Sequence, residues 1–409
     1  MQSEFTAVHL GKLAIFEMGQ SPPSAYVSEG EIGLPFLQGN AEFGAVYPTP
    51  GHYCSQPQKL CQPGDVLISV RAPVGELNKA DQTYVIGRGL AAVRFTEIPL
   101  EFGWHLLNYW ARDLHQLAQG STFKAISKGN LESLSVLLPP LPEQRRIAEI
   151  LDAADEAIRQ TERVIAKLKA VKAGLLHDLL TCGLDEHGHL RDPQAHPEQF
   201  KDSPLGRVPE NWSTDSLGNC SFVTKLAGFE YTNYFDYSKH GEIIAVRVLN
   251  IRDGRLDLSD VHTIPRSVSD KLPRSALKKG DLVISYVGTI GEVALIEEGN
   301  RFHLAPNVAR ISPSRDMLDP CFLLMQLLSH QAQKRLFDLS ALTSQPALSM
   351  GRLRRLQIVI PPLEEQTHIA ATLDAHDTRI RAEEAELAKL RQVKRGLMDD
   401  LLTGRVRVT

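Results

Sequence analysis

His177, Cys182, His187, His189 and His196 are the densest run of metal-capable side chains in the chain. Zinc sites need paired ligands at short, matched spacings, and no pair in this run has a second pair to match it. The run reads as linker, and no metal centre is expected. The five cysteines, Cys54, Cys61, Cys182, Cys220 and Cys321, are odd in number and scattered. That usage fits a reducing compartment, not a disulfide framework. Covalent and phosphate chemistry finds no better footing. There is no Walker A loop, no glycine-rich dinucleotide fingerprint and no His-Glu-x-x-His pair. GTIGE at 288–292 is too short for a phosphate loop and lacks the Lys-Ser/Thr. No Gly-x-Ser-x-Gly elbow is present. The NPPF-type tetrapeptide of adenine methyltransferases is absent too, since the proline pairs lie in LPPL and IPPL. The chain is expected not to be an enzyme, although scattered His and acidic residues could still meet in three dimensions.

What the sequence does carry is a long internal repeat. Residues 138–183 and 360–405 align without a gap over 46 positions at a constant offset of 222, and 25 positions are identical. Two copies are too few for a solenoid. Two copies half a chain apart predict a pseudo-twofold molecule, and duplex DNA is the commonest two-fold target for one.

Each copy opens on a proline pair, Pro139-Pro140 or Pro361-Pro362, which ends whatever precedes it. Helical patterning follows at once. The first apolar seam runs Ile147, Leu151, Ala154, Ile158, Thr161, Ile165, Leu168, Lys172, Leu175, Leu179. The second runs Ile369, Leu373, His376, Ile380, Glu383, Leu387, Leu390, Lys394, Leu397, Leu401. Steps of four and three alternate, which is the a/d pattern of a coiled coil. About 38 residues of helix extend about 57 Å, too long for one small core. The other copy is the natural partner, antiparallel in keeping with the two-fold. The competing reading packs each helix within its own domain. In a centred antiparallel register Lys394 lies opposite Ala154, and Lys172 opposite His376.

The regions before the helices also match. GDVLISVRAPVGE (64–76) pairs with GDLVISYVGTIGE (280–292), and ISKGNLESL (126–134) with LSMGRLRRL (348–356). The chain therefore reads as module, helix, module, helix: residues 1–142, 143–182, 209–363 and 364–403, with a linker at 183–208. Each module is large enough for its own core. Residues 66–70 and 282–287 read as strands, and 104–118 and 322–339 as amphipathic helices. The expected class is α+β, with a largely antiparallel sheet in each module. No apolar run is long enough to span a bilayer, and no leader-like start is seen, so a cytoplasmic protein is expected. Net charge is −4. Residues 1–142 hold 9 Lys and Arg against 12 Asp and Glu, and residues 209–363 hold 18 against 16. Neither module is strongly basic, so a DNA-bound form needs partner chains to neutralise phosphates.

These residues resemble the specificity subunits of type I restriction–modification systems. LPPLPEQRRIAEILD and its repeat IPPLEEQTHIAATLD carry the resemblance most strongly. GLPFLQGNAEFG, GDVLISVRAPVGE, GSTFKAISKGNLESL and DSPLGRVPENW extend it over nearly the whole chain. The first module lacks a PENW-like lead-in, so its N-terminal edge departs from the pattern. The resemblance implies two target recognition domains in pseudo-twofold arrangement, separated by two long antiparallel coiled-coil helices. Each domain would read one half of a bipartite, asymmetric DNA site. The helices would set the spacer and dock two methyltransferase (M) subunits, and the full complex would add two restriction/translocase (R) subunits. S-adenosylmethionine, ATP and Mg would be used by those partners, with no cofactor in this chain.

Base reading needs paired donors and acceptors, Arg for guanine and Asn or Gln for adenine. Candidates in the first module are Gln38, Asn40, Arg71, Ser121, Thr122, Lys124 and Lys128. In the second they are Arg247, Asn250, Tyr286, Thr289, Thr343, Ser344 and Gln345. Any one of them could equally be an exposed turn residue or a phosphate contact. The alternative reading of the chain is a coiled-coil adaptor that binds proteins and has no DNA specificity. An enzyme fused to recognition domains is disfavoured because the two repeats fill the chain.

Overall fold

Two units partition the computed structural model of the chain: residues 1–164 with 383–409, and residues 165–382. Residues 5–119, 125–234, 237, 240–340 and 347–408 are described, 112–119 by backbone alone. The chain is α+β. Each of the two long helices, Leu141–Thr181 and Leu363–Leu401, contributes to both units.

In the first unit, one four-stranded antiparallel sheet runs in the order Ala14–Met18, Leu90–Phe95, Val66–Ser69, Leu77–Lys79. Both of its faces are covered. Val66, Ile68, Ala91 and Val93 enter one core, while the alternate residues Leu67, Leu90 and Ala92 enter another. A sheet buried on both sides reads as continuous apolar runs, which is how DVLISV and GLAAV appear. A second sheet orders Val27–Ser28, His52–Cys54, Leu34–Leu37 and Val85–Ile86, its last pairing parallel. Thr6–His9 pairs with Ser135–Leu138 and delivers the chain to the first long helix. The helix Leu100–Gln119 buries Phe102, Leu106 and Leu107 in the larger core.

The second unit repeats this plan. Its first sheet orders Ser221–Lys225, Val308–Pro313, Leu282–Ser285 and Val293–Leu295, and Ser213–Ser216 pairs with Gln357–Ile360. A second sheet joins His262–Ile264, Ile243–Val246, Phe302–Leu304 and Ala276–Leu277, with one parallel pairing. Each module therefore carries two four-stranded sheets and at least one two-stranded sheet where one sheet was expected, with antiparallel pairing dominant.

Two sequence expectations change here. Residues 322–339 do not form one helix. Pro320–Leu328 and His330–Asp338 are separate, because Ser329 is extended and its hydroxyl caps the second helix by accepting the Ala332 N–H at 3.3 Å. The 183–208 segment is also more than a connector. It forms the hairpin Phe200–Ser203 with Gly206–Pro209 and buries Phe200 and Val208. Among the described residues no helix is long and apolar enough to cross a membrane.

Candidate DNA interface and the helix pair

The repeated Pro-Pro-Leu-x-Glu-Gln motif builds a lock at the start of each long helix. Gln144 folds back and donates from Nε2 to the Pro139 carbonyl at 2.8 Å. Gln366 does the same to Pro361 at 2.7 Å, donates to Met317, and accepts the Asp319 N–H. The preceding glutamate grips the segment that follows the other long helix. Glu143 accepts two Arg407 bonds, at 2.8 and 2.7 Å, and the Val408 N–H. The Arg407 guanidinium holds the Glu143 carboxyl below the usual range. Its repeat partner Glu365 accepts Arg191 at 2.6 Å and the Leu184 N–H.

Beyond the lock the seam residues turn inward. Ile147, Leu151, Ile165, Ile369, Leu373 and Ile380 are buried, and Ile158, Leu168, Leu175, Leu387, Leu390 and Leu397 are half-buried. In the first unit Ile147, Ala148 and Leu151 share a core with Phe102, Leu401 and Leu402. In the second, their equivalents Ile369, Ala370 and Leu373 share one with Phe322, Leu179 and Leu180. Both readings of the stripe thus meet in one core: it packs on its own module and on the other helix, antiparallel. Each seam lysine ends on the acid that follows the residue expected opposite it, Ala154 or His376. Lys394 hydrogen-bonds the next residue, Asp155, and Lys172 bonds Asp377, both at 2.5 Å. An ammonium withdrawn from water needs an anionic partner, which the small residue alone could not supply. The two clasps are the same pair at the repeat offset.

One side chain distinguishes the clasps. His105 is fully buried on the helix that leads from the first sheet, with Nε2 2.9 Å from Asp152 and Nδ1 3.9 Å from Asp155. Burial pushes its pKa down. Three residues after the equivalent Phe322 stands the apolar Met325, buried in its own core.

The recognition candidates gather at one end of each first sheet. In the first module, Gln38 is exposed and its amide meets the Ser21 hydroxyl. Ser21 also accepts the Arg88 N–H at 3.2 Å. The Val70 N–H reaches Gly89, and the neighbouring Arg71 is bridged to Ala125, next to Ser121, Thr122 and Lys124. Those three lie outside the described residues. Asn40 is half-buried one turn past Gln38, while Lys128 is exposed and pairs with Glu132 at 3.6 Å.

In the second module the Lys225 ammonium sits 5.0 Å over the Tyr286 ring, at the ends of Ser221–Lys225 and Leu282–Ser285. Tyr286 also ties by backbone to Asn307 and Leu348, and Val287 bridges to Ala347. Thr343, Ser344 and Gln345, just before Ala347, lie outside the described residues. Thr289 is exposed in the same loop. Arg247 and Asn250 stand differently. Asn250 is buried, and its Nδ2 donates to the carbonyls of Asp257 and Asp260. Arg247 spends its guanidinium on Asp260, at 3.0 Å. These two shape the loop from within. Sequence reasoning passed over Ser21, Arg88, Lys225 and Asn307, because pairing across sheet ends is not visible along one strand of sequence.

Two α+β modules present polar loop clusters, and each is tied to a pair of long helices. The family description "Type I restriction modification DNA specificity domain" matches residues 4–170 and 224–392. The chain belongs to that family, the family of the specificity subunits. It is 28% identical over 300 residues to the type I restriction enzyme MjaVIII specificity subunit of Methanocaldococcus jannaschii, covering 72% of this chain and 67% of that one. A provisionally named MjaX specificity subunit from the same organism is 43% identical over 183 residues, 44% of this chain and 43% of its own length. The chain thus spans less than half of that relative. The crystal structure of the type I system S subunit from M. genitalium shares the fold at TM-score 0.57 and 15% identity, over 97% of this chain and 96% of that one. A chain from a structural study of type I assembly and conformational transition does so at TM-score 0.60 and 18% identity, over 98% of both.

Proposed function

We propose that the chain is the non-catalytic reader of a type I restriction–modification complex, each module reading one half of a bipartite, asymmetric DNA site. Residues 1–142 and 209–363 are the readers, and the helices at 143–182 and 364–403 set the spacer and carry two M subunits. Two R subunits complete the complex. S-adenosylmethionine, ATP and Mg serve those partners, in the cytoplasm. The observation that carries this reading is the equivalence of the two loop clusters. Both sit at the ends of matching sheet strands, and each is bridged to a residue, Ala125 or Ala347, that follows a polar stretch of the sequence.

The test uses the full chain with its M partner. Methylome sequencing should show adenine methylation at one split site, and the chain alone should methylate nothing. Affinity for duplex DNA should fall steeply with salt, as counterion release requires. Methylation by the purified chain without M overturns the assignment, and salt-insensitive or absent DNA binding by the complex favours the protein-binding adaptor.

A further inference from the structure

The first module holds two exposed polar side chains, Gln38 and Arg88, against one shared hydroxyl. The Ser21 hydroxyl lies 3.2 Å from Gln38 Oε1 and 3.0 Å from Gln38 Nε2, so it fixes the plane of the amide. The same oxygen accepts the Arg88 N–H. Gly87 and Gly89 flank Arg88 and press against Gln38. A Cβ at 87 would lie 3.0 Å from Gln38 Cα, and one at 89 would lie 2.7 Å from the Gln38 carbonyl oxygen. The Gly87 N–H donates to Leu37 and the Gly89 N–H to Gln38. Two chain segments are thereby locked together with Gln38 and Arg88 both exposed. Arg94, close by in sequence, is tied bidentately to Asp65, whereas Arg88 forms no ion pair among the described residues.

Ser21 occupies the edge between Gln38 Oε1 and Nε2, so the amide keeps one outer N–H or one outer lone pair for a single bond to a base edge, and an uncommitted guanidinium matches guanine O6 and N7. Preorganisation reduces the ordering cost that long side chains otherwise bring to binding. We propose that Gln38 and Arg88 read two bases of the first half-site, with Ser21 as the positioning residue that orients both. This rests on the function proposed above and names residues for it.

The experiment selects randomised duplex DNA with the complete complex and sequences what is bound, for wild type, Gln38→Ala, Arg88→Ala, Ser21→Ala and Ser21→Thr. Circular dichroism and M co-purification monitor folding and assembly. Arg88→Ala should relax one position of the first half-site, with a loss of about 5- to 150-fold on the preferred base, and Gln38→Ala should relax a second position by less, as the loss of a single bond. The second half-site should stay unchanged. Ser21→Ala should relax the same positions less, and Ser21→Thr, which keeps the hydroxyl, should restore them. A retained motif at wild-type affinity overturns the assignment. So does an equal weakening on all sequences, the mark of a phosphate contact. A wild-type complex that selects no sequence overturns the function and this assignment with it.

Discussion

The cores at the starts of the two long helices contain nearly the same apolar residues and differ in which buried polar side chain each holds, His105 in the first and Gln326, at the place of Leu106, in the second. Ile147, Ala148, Leu151, Leu401 and Leu402 in the first unit correspond to Ile369, Ala370, Leu373, Leu179 and Leu180 in the second. Phe102 corresponds to Phe322, Glu143 with Arg407 to Glu365 with Arg191, and Lys394–Asp155 to Lys172–Asp377. Against that match, His105 stands where the second core has Met325. The scaffold is duplicated down to its ion pairs, while one buried site in the first unit has acquired a proton-binding group.

The largest break comes from the shared apolar floor. Leu151 and Leu373 are both fully buried. Leu151→Asp or Leu373→Asp buries an unpaired carboxylate, at about 3–5 kcal/mol. Each variant should lose protection in its own unit, read by hydrogen exchange with mass spectrometry, and should fail to co-purify with M. Equal loss of protection in both units from either variant would show that the two cores do not act locally. Leu168 and Leu390 are only half-buried, so aspartate there should cost less.

This division explains how much was legible beforehand. The repeat, the module order and the a/d stripe lie along the chain as local patterns, so the α+β class and the long helices could be read directly. The acids that complete the clasps went unnamed, because a seam pattern shows which positions face inward but not which neighbouring acid a lysine will reach. Asn250 looked like a base reader from its residue type, yet the hairpin 251–256 folds so that Asp257 and Asp260 take up its amide. Ser21 and Arg88, 67 positions apart, meet only through sheet pairing, and no sequence period encodes that contact.

A middle-sized effect should separate the clasps. Lys172→Met leaves Asp377 without its cation at a site that is about one-quarter exposed, and should cost about 1–3 kcal/mol. Lys394→Met leaves Asp155 in the same position, but His105 Nδ1 stands 3.9 Å away. A proton on His105 can replace the lost ammonium. The two variants should therefore cost similar amounts near pH 8, and Lys394→Met should become the milder one near pH 6. Urea denaturation of each variant at both pH values, with the unit that unfolds identified by hydrogen exchange, gives the comparison. Identical pH profiles for the two variants would mean that His105 does not serve Asp155.

The smallest effect isolates His105 itself. Its surroundings are Asp152 and Asp155 on the first long helix and Lys394 on the second. Burial, the largest influence, disfavours the charged ring, and the two aspartates only partly oppose it. The folded pKa therefore lies below the ordinary value of about 6.5, and the unfolded chain binds the proton more readily. The stability gained by keeping the ring neutral is fully present above about pH 6.5 and declines as the pH falls below it. The slope cannot exceed about 1.4 kcal/mol per pH unit for one proton. His105→Met installs the second unit's residue and removes this slope. The variant loses the bond to Asp152, whose side chain is 46% exposed and can take water in its place. Wild type and His105→Met should differ little at pH 7.5, and the variant should gain on wild type by about 1 kcal/mol or less at pH 5.5. Met325→His should install the same acid sensitivity in the second unit, where Asp374 and Asp377 occupy the equivalent positions. Parallel stability profiles for wild type and His105→Met would show that the ring titrates alike in the folded and unfolded chain, and that the one titratable difference between the cores has no energetic consequence.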